Sequence, residues 1–178
     1  MKIFVETERF LLREMLEIDA PGLYELDSDP EVHRYLGNKP ISDMETCYRV
    51  VANVRQQYQD NGIGRWSVID KASGAFVGWS GLKYETNLRA GKRYYDIGYR
   101  LLRKYWGRGI ASETAAAALR YGFETLQYPE ICAAAQVANI GSNRVLQKIG
   151  LQCIEQFDYE GAPTNWYRLS RSEWALAQ

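Results

Sequence analysis

A glycine-bearing turn constrains this chain more than any other feature. Tyr105-Trp106-Gly107-Arg108-Gly109-Ile110-Ala111-Ser112-Glu113 stands between an apolar alternating segment, Tyr95 to Leu102, and an Ala-rich segment, Ala115 to Leu126. The pattern predicts a strand, a tight turn and a helix N-terminus. The first N–H groups of a helix have no intrahelical partner, and the positive end of its dipole lies there. Gly107 and Gly109 lack a Cβ, so a ligand can come close to the backbone. Such a corner suits a phosphate or pyrophosphate. A strand–helix corner without a ligand is the alternative. Two nucleotide motifs are excluded. No Gly-x-x-x-x-Gly-Lys-Ser/Thr is present, and Ser112 stands where Gly-x-Gly-x-x-Gly needs its last glycine. No βαβ unit opens the chain, against a Rossmann arrangement.

With 178 residues, one domain over 1–178 is expected. The 22 basic and 22 acidic residues cancel, which gives no support for nucleic-acid binding or a polybasic membrane anchor. Cys47, Cys132 and Cys153 are isolated, as suits free thiols in a reducing, cytoplasmic setting. His33 is the one histidine, so no Cys/His metal site is expected. No apolar run approaches a membrane span, and Met1 to Glu8 has no signal-peptide core.

Phe10 to Leu12 reads as a first strand, followed by a helix capped by Asp19 and a short helix opened by Asp29-Pro30. Ser42-Asp43-Met44-Glu45 reads as a capping box for a helix ending near Asn61-Gly62. Arg65 to Ile69, Phe76 to Tyr84 and Tyr94 to Leu102 read as strands. Ile131 to Val137 is a further strand, and Ile140 to Ile149 a helix stopped by Gly150. Leu151 to Tyr159 and Thr164 to Leu169 form a hairpin, and Ser170-Arg171-Ser172-Glu173 caps a terminal helix. This order predicts one α+β domain on a mostly antiparallel sheet.

Several of these segments together resemble one family. Thr7-Glu8-Arg9-Phe10-Leu11-Leu12-Arg13 is similar to the opening of the RimJ/RimL-type branch of GCN5-related N-acetyltransferases (GNAT). Asp29-Pro30-Glu31-Val32 with Tyr35-Leu36 resembles its second element. Ile97-Gly98-Tyr99-x-Leu101 and Trp106-Gly107-x-Gly109-x-Ala111-x-Glu113 resemble its core. Asn139-x-x-Ser142-x-x-Val145-Leu146-x-Lys148-x-Gly150 resembles its second signature. The resemblance covers almost the whole chain. It implies a mixed sheet splayed at its central strands, flanked by helices, with acetyl-CoA as co-substrate and no metal. The acceptor would be an amine, on a peptide or protein N-terminus or a small molecule, and the protein a cytoplasmic monomer or homodimer.

The same resemblance assigns residues. Trp106, Gly107, Arg108, Gly109, Ile110, Ala111 and Ser112 would hold the CoA pyrophosphate. The strand edge at Leu101 and Leu102 would bond the pantetheine amides, as an added strand would. Asn139, also a natural helix N-cap, would hold the same arm. Gly98 resembles a bulged position that opens the slot. Leu146 stands near the arm, where many members carry a tyrosine by the thiolate. Ser142 takes the place of a serine near the sulfur, as a hydrogen-bond donor or as a helix-start residue only. N–H groups near Tyr99 to Leu101 could serve the oxyanion.

The base is open between Asp96 and Glu85, each also readable as a strand-end charge, while Glu113 reads as a helix-turn structural residue. Near neutral pH, neutralising an α-amine costs on the order of 1 kcal/mol and a lysine amine about 4 kcal/mol. An α-amine could therefore lose its proton to water. His33, Tyr35, Trp79, Tyr84 and Trp166 could line an acceptor pocket. The competing function is a CoA-binding sensor or interaction module that has lost transfer.

Overall fold

The computed structural model describes residues 1–177. Its strands are β1 (Ile3–Glu6), β2 (Phe10–Arg13), β3 (Arg65–Asp70), β4 (Phe76–Glu85), β5 (Tyr94–Leu101), β6 (Glu130–Gln136), β7 (Gln152–Tyr159) and β8 (Ala162–Ser170). Its helices are α1 (Ala20–Asp27), α2 (Pro30–His33), α3 (Met44–Asn61), α4 (Ile110–Arg120), α5 (Ile140–Lys148) and α6 (Arg171–Leu176). One sheet holds all eight strands in the order β1-β2-β3-β4-β5-β6-β8-β7. Among the described residues, β5–β6 is the one parallel pair. The fold is the expected α+β domain on a mostly antiparallel mixed sheet.

Two cores lie on the sheet. One gathers Leu23 and Leu26 of α1, Val51 and Val54 of α3, and Met15 and Leu102. The other gathers Ile110, Ala115 and Leu119 of α4 with Trp66, Leu82 and Ile97. Strand alternation separates them, since Trp79 packs on the first and Leu82 belongs to the second.

The register locates the opening in the sheet. β4 and β5 pair without a shift from Gly78↔Leu101 to Glu85↔Tyr94. β5 and β6 meet at a single position, Asp96↔Cys132. Beyond it the two strands part. Gly98 lies in the unbroken β4–β5 register, so the expected bulge there is absent. Its glycine has another cause: a Cβ would sit 2.7 Å from Arg65 Nη2, because that guanidinium crosses the strand.

Local signals explain most helix ends. Asp43, one residue after the expected Ser42, caps α3 by accepting from Thr46 N–H at 2.7 Å. Gly62, with φ +73°, ends it. Ser170 and Glu173 form the expected capping box of α6. Asp19 makes no side-chain cap of α1. It is buried instead, accepting from both Arg13 Nη atoms at 2.7 Å and from Ser67 Oγ at 2.7 Å. β1 was not expected. It is a four-residue edge strand whose Phe4 ring stacks on Trp66 at 5.0 Å.

Candidate active site

β5 supplies one wall of the opening. The Leu102 N–H donates to the Val77 carbonyl at 3.0 Å. Antiparallel alternation then turns the peptide groups of Leu101 and Tyr99 the other way, towards β6, which no longer pairs there. The Leu101 carbonyl receives the Trp106 indole N–H at 2.8 Å. The Leu101 N–H and the Tyr99 peptide groups remain as the edge. Leu102 is not part of it. Its N–H serves β4 and its side chain lies in the α1–α3 core.

The glycine turn closes one end. Gly107 and Gly109 both have φ +74°, a left-handed conformation that disfavours other residues. A Cβ at Gly107 would meet nothing within 4 Å, and at Gly109 only Arg9 Nη2 at 3.9 Å. The glycines thus serve backbone conformation and leave space above the turn. No side chain caps α4, and its first bond runs from Glu113 N–H to Gly109 O at 3.0 Å. The N–H groups of Ile110, Ala111 and Ser112 precede that bond and point out of the helix. Ile110 offers only its backbone, since its side chain is buried. An uncapped N-terminus under open space fits a pyrophosphate.

Arg9 fixes this turn from β2's approach. Its Nε donates to Glu113 Oε2 at 2.7 Å, and both Nη atoms donate to the Arg108 carbonyl at 3.2 Å. Burial pushes the Glu113 carboxyl up, but hydrogen bonds from Thr7 and Arg9 pull it lower still. Glu113 is a structural residue of the turn, as its position suggests, while Arg9's part was not foreseen. The Arg108 guanidinium lies over the Tyr105 ring at 5.6 Å.

α5 forms the facing wall. Asn139 Oδ1 accepts from Ser142 N–H at 3.1 Å, the expected N-cap. Ser142 Oγ stands 3.1 Å from the Tyr99 hydroxyl. Leu146 is 2% exposed within the core and presents no side chain to the opening. Buried Asn143, unremarked in the sequence, ties the wall together. It donates to the Gln136 and Asn139 carbonyls at 2.9 and 2.7 Å and accepts from Asn165 and Tyr167 at 2.8 and 2.7 Å.

The two candidate bases are both engaged. Asp96 and Arg65 form a buried ion pair, and Arg65 Nη1 also donates to the Asp96 carbonyl at 2.9 Å and the Gly81 carbonyl at 2.5 Å. Burial pushes the Asp96 carboxyl above the ordinary range, against the pull of Arg65. Glu85 Oε1 accepts from the N–H groups of Thr86, Asn87 and Leu88 at 2.9, 2.8 and 3.3 Å. Its Oε2 lies 2.5 Å from Lys83 Nζ. Burial pushes Glu85 up, but Lys83 and the N–H donors outweigh it and hold it low. Glu85 is a clamp on the loop that follows β4.

The expected acceptor lining divides. Trp79 lies between Arg65 and Arg100, at 5.3 and 5.1 Å. Asp27 Oδ1 accepts from Arg100 Nη1 at 2.5 Å and lies 3.3 Å from His33 Nε2. Trp79 and His33 therefore share one polar cluster with Asp96. Trp166 instead packs on Tyr94 at 4.6 Å. Tyr84 leaves the group, meeting Tyr95 at 5.5 Å on the other face of the sheet. Among the described residues, no group of three or more His, Cys, Asp and Glu stands ready for a metal, and no helix is long and apolar enough to cross a membrane.

Comparison with known proteins gives the family to which this sheet, opening and turn belong. The acetyltransferase (GNAT) domain family matches residues 9–152. The uncharacterized N-acetyltransferase YoaA of Bacillus subtilis (strain 168) is 30% identical over 171 residues, 93% of this chain and 95% of its own. A crystal structure of a GNAT-family acetyltransferase from Bacillus anthracis is similar with TM-score 0.78 at 26% identity, covering 95% of this chain and 99% of that one. RimL, the ribosomal L7/L12 α-N-protein acetyltransferase solved with CoA, shares the fold with TM-score 0.80 at 17% identity, over 97% and 99% of the two chains. The chain belongs to the GNAT acetyltransferase family. It is an acetyl-CoA-dependent N-acetyltransferase.

Proposed function

We propose that this protein moves the acetyl group of acetyl-CoA to an α-amine by direct attack on the thioester, the acceptor being a protein or peptide N-terminus or an amino-acid-like small molecule. The observation that carries the reading is the parting of β5 from β6 after one bridge, beside an uncapped helix N-terminus. The N–H groups of residues 107 to 112 would hold the pyrophosphate, with Arg108 adding charge. The Tyr99 peptide groups and the Leu101 N–H would bond the pantetheine arm, the Leu101 carbonyl being held by Trp106. Asn139 keeps its amide N–H donors for that arm, since its oxygen is used by Ser142. Ser142 would donate a hydrogen bond to the departing sulfur.

The acceptor preference rests on the carboxylates. Asp96 is paired with Arg65, and Glu85 with Lys83 and three N–H groups. Neither is a free base. An α-amine costs about 3 kcal/mol less to neutralise near neutral pH than a lysine amine, so water can take its proton. Asp96 then acts by holding Arg65 and Trp79 in place beneath the acceptor. Placement in the RimJ/RimL-type branch, in the cytoplasm, as monomer or homodimer, belongs to the same proposal.

The test is thiol release from acetyl-CoA against a panel of peptides with free or blocked N-termini, amino acids, polyamines and lysine side chains, with products identified by mass spectrometry. Acetylated α-amines are expected. Efficient transfer to polyamines or lysine side chains, with none to any α-amine, would overturn the preference.

A further inference from the structure

The phenol nearest to Ser142 comes from the strand. On α5, Leu146 is 2% exposed and buried in the core, so it brings no polar group to the opening. Tyr99 reaches from β5 across to α5 instead. Its hydroxyl lies 3.1 Å from Ser142 Oγ and donates to the Ser142 carbonyl at 3.0 Å. Asn139 fixes the Ser142 backbone through the N–H it accepts. The neighbouring Tyr167 phenol is already used, donating to Asn143 Oδ1 at 2.7 Å.

The contact has two settings, because the phenol has one proton. When that proton lies on the Ser142 carbonyl side, the Ser142 hydroxyl points its own proton at the phenol oxygen. When the phenol donates to Ser142 Oγ, the serine proton is released towards the opening. We propose that Tyr99 is the positioning residue for Ser142, holding the serine hydroxyl as proton donor to the departing sulfur of CoA. The inference rests on the reading that the CoA arm runs along β5.

The proton balance closes. As the amine nitrogen bonds to the acetyl carbon, the carbon–sulfur bond breaks and its electron pair goes to sulfur. The Ser142 proton passes to sulfur, the Tyr99 proton passes to Ser142 Oγ, and the proton released by the amine returns through water to Tyr99. Burial pushes the Tyr99 phenol well above its ordinary range, so it begins each turnover protonated.

Two readouts separate this from a packing role. The first needs no turnover: the thiolate absorbance of enzyme-bound CoA, titrated with pH. A donor at sulfur should hold the bound thiol below its value in free CoA, and Tyr99→Phe and Ser142→Ala should each raise it by about one unit. The second is kinetic. Tyr99→Phe should lower kcat on the order of tenfold or more, with KM for acetyl-CoA changed less than about threefold. Fluorotyrosine at position 99, which keeps the hydroxyl, should restore kcat to within about threefold. The double variant should be no slower than Ser142→Ala, because the pair works as one unit. A folded Tyr99→Phe protein with native thiol titration and native kcat overturns the inference. If Tyr99→Phe fails to fold, Ser142→Ala decides, and a native thiol titration there overturns it equally. Failure of the wild type to acetylate any amine would instead refute the proposed function.

Discussion

Replacing Asp96 by Asn keeps the side chain's shape and removes its charge. The structure gives the consequence a size. Asp96 and Arg65 are 8% and 9% exposed, and among the described residues the guanidinium has no second carboxylate as hydrogen-bond partner. The Asp96→Asn protein would leave Arg65 buried with an uncompensated charge. Removing one partner of a buried pair costs about 3–5 kcal/mol. For a chain of this length each kcal/mol lowers Tm by about 2–4 °C, so a fall of about 6–20 °C is expected. Thermal unfolding followed by circular dichroism measures it. Replacing both partners by apolar residues, Arg65→Met with Asp96→Leu, should recover most of the loss, since a matched apolar pair is often neutral. An Asp96→Asn protein melting within about 2 °C of the wild type would refute the argument that this pair supports the site. Activity losses in the variant should follow the folded fraction and should not shrink selectively as pH rises; selective recovery at high pH would make Asp96 the base.

Two further predictions concern the turn and the loop clamp. Gly109→Val should raise the acetyl-CoA dissociation constant at least tenfold, about 1.4 kcal/mol, because φ +74° is closed to a β-branched residue; calorimetry showing native affinity in the folded variant would dismiss the turn as the pyrophosphate site. Glu85 is held below its ordinary value in the folded protein, so its contribution is full above the unfolded pKa and is lost as pH falls through the folded one. Urea midpoints should therefore drop on acidification through the carboxylate range, and Glu85→Gln should flatten that part of the profile; parallel profiles for the two proteins would count against the clamp.

What the sequence made legible was local. The turn at Gly107 and Gly109, the Asn139 cap and the Ser170–Glu173 capping box each depend on residues a few positions apart, where backbone conformation and side-chain reach decide the outcome. What it hid was the meeting of distant residues. Arg65 and Asp96 are 31 positions apart, Tyr99 and Ser142 43, Arg9 and Glu113 104. These contacts depend on strand order and register, which periodicity does not encode. Asp96 looked like an available base for the same reason, since Arg65 comes from another strand of the sheet. The partners of Glu85, Lys83 and the N–H groups of residues 86 to 88, are local, but the turn that brings them together reads in the sequence only as a polar loop. Tyr99 carried one usable signal, sharing a strand face with Ile97 and Leu101 beside the expected CoA edge. β1 gave none, since four residues are too few for an alternation to stand out.

Amide hydrogen exchange with and without CoA tests the central claim most directly, because it reads the backbone groups themselves. The account predicts that CoA slows exchange at residues 107 to 112 and at the Tyr99 and Leu101 N–H groups, while the paired β3 strand changes little. Saturating CoA that protects another surface and leaves the turn and the β5 edge unchanged would contradict it.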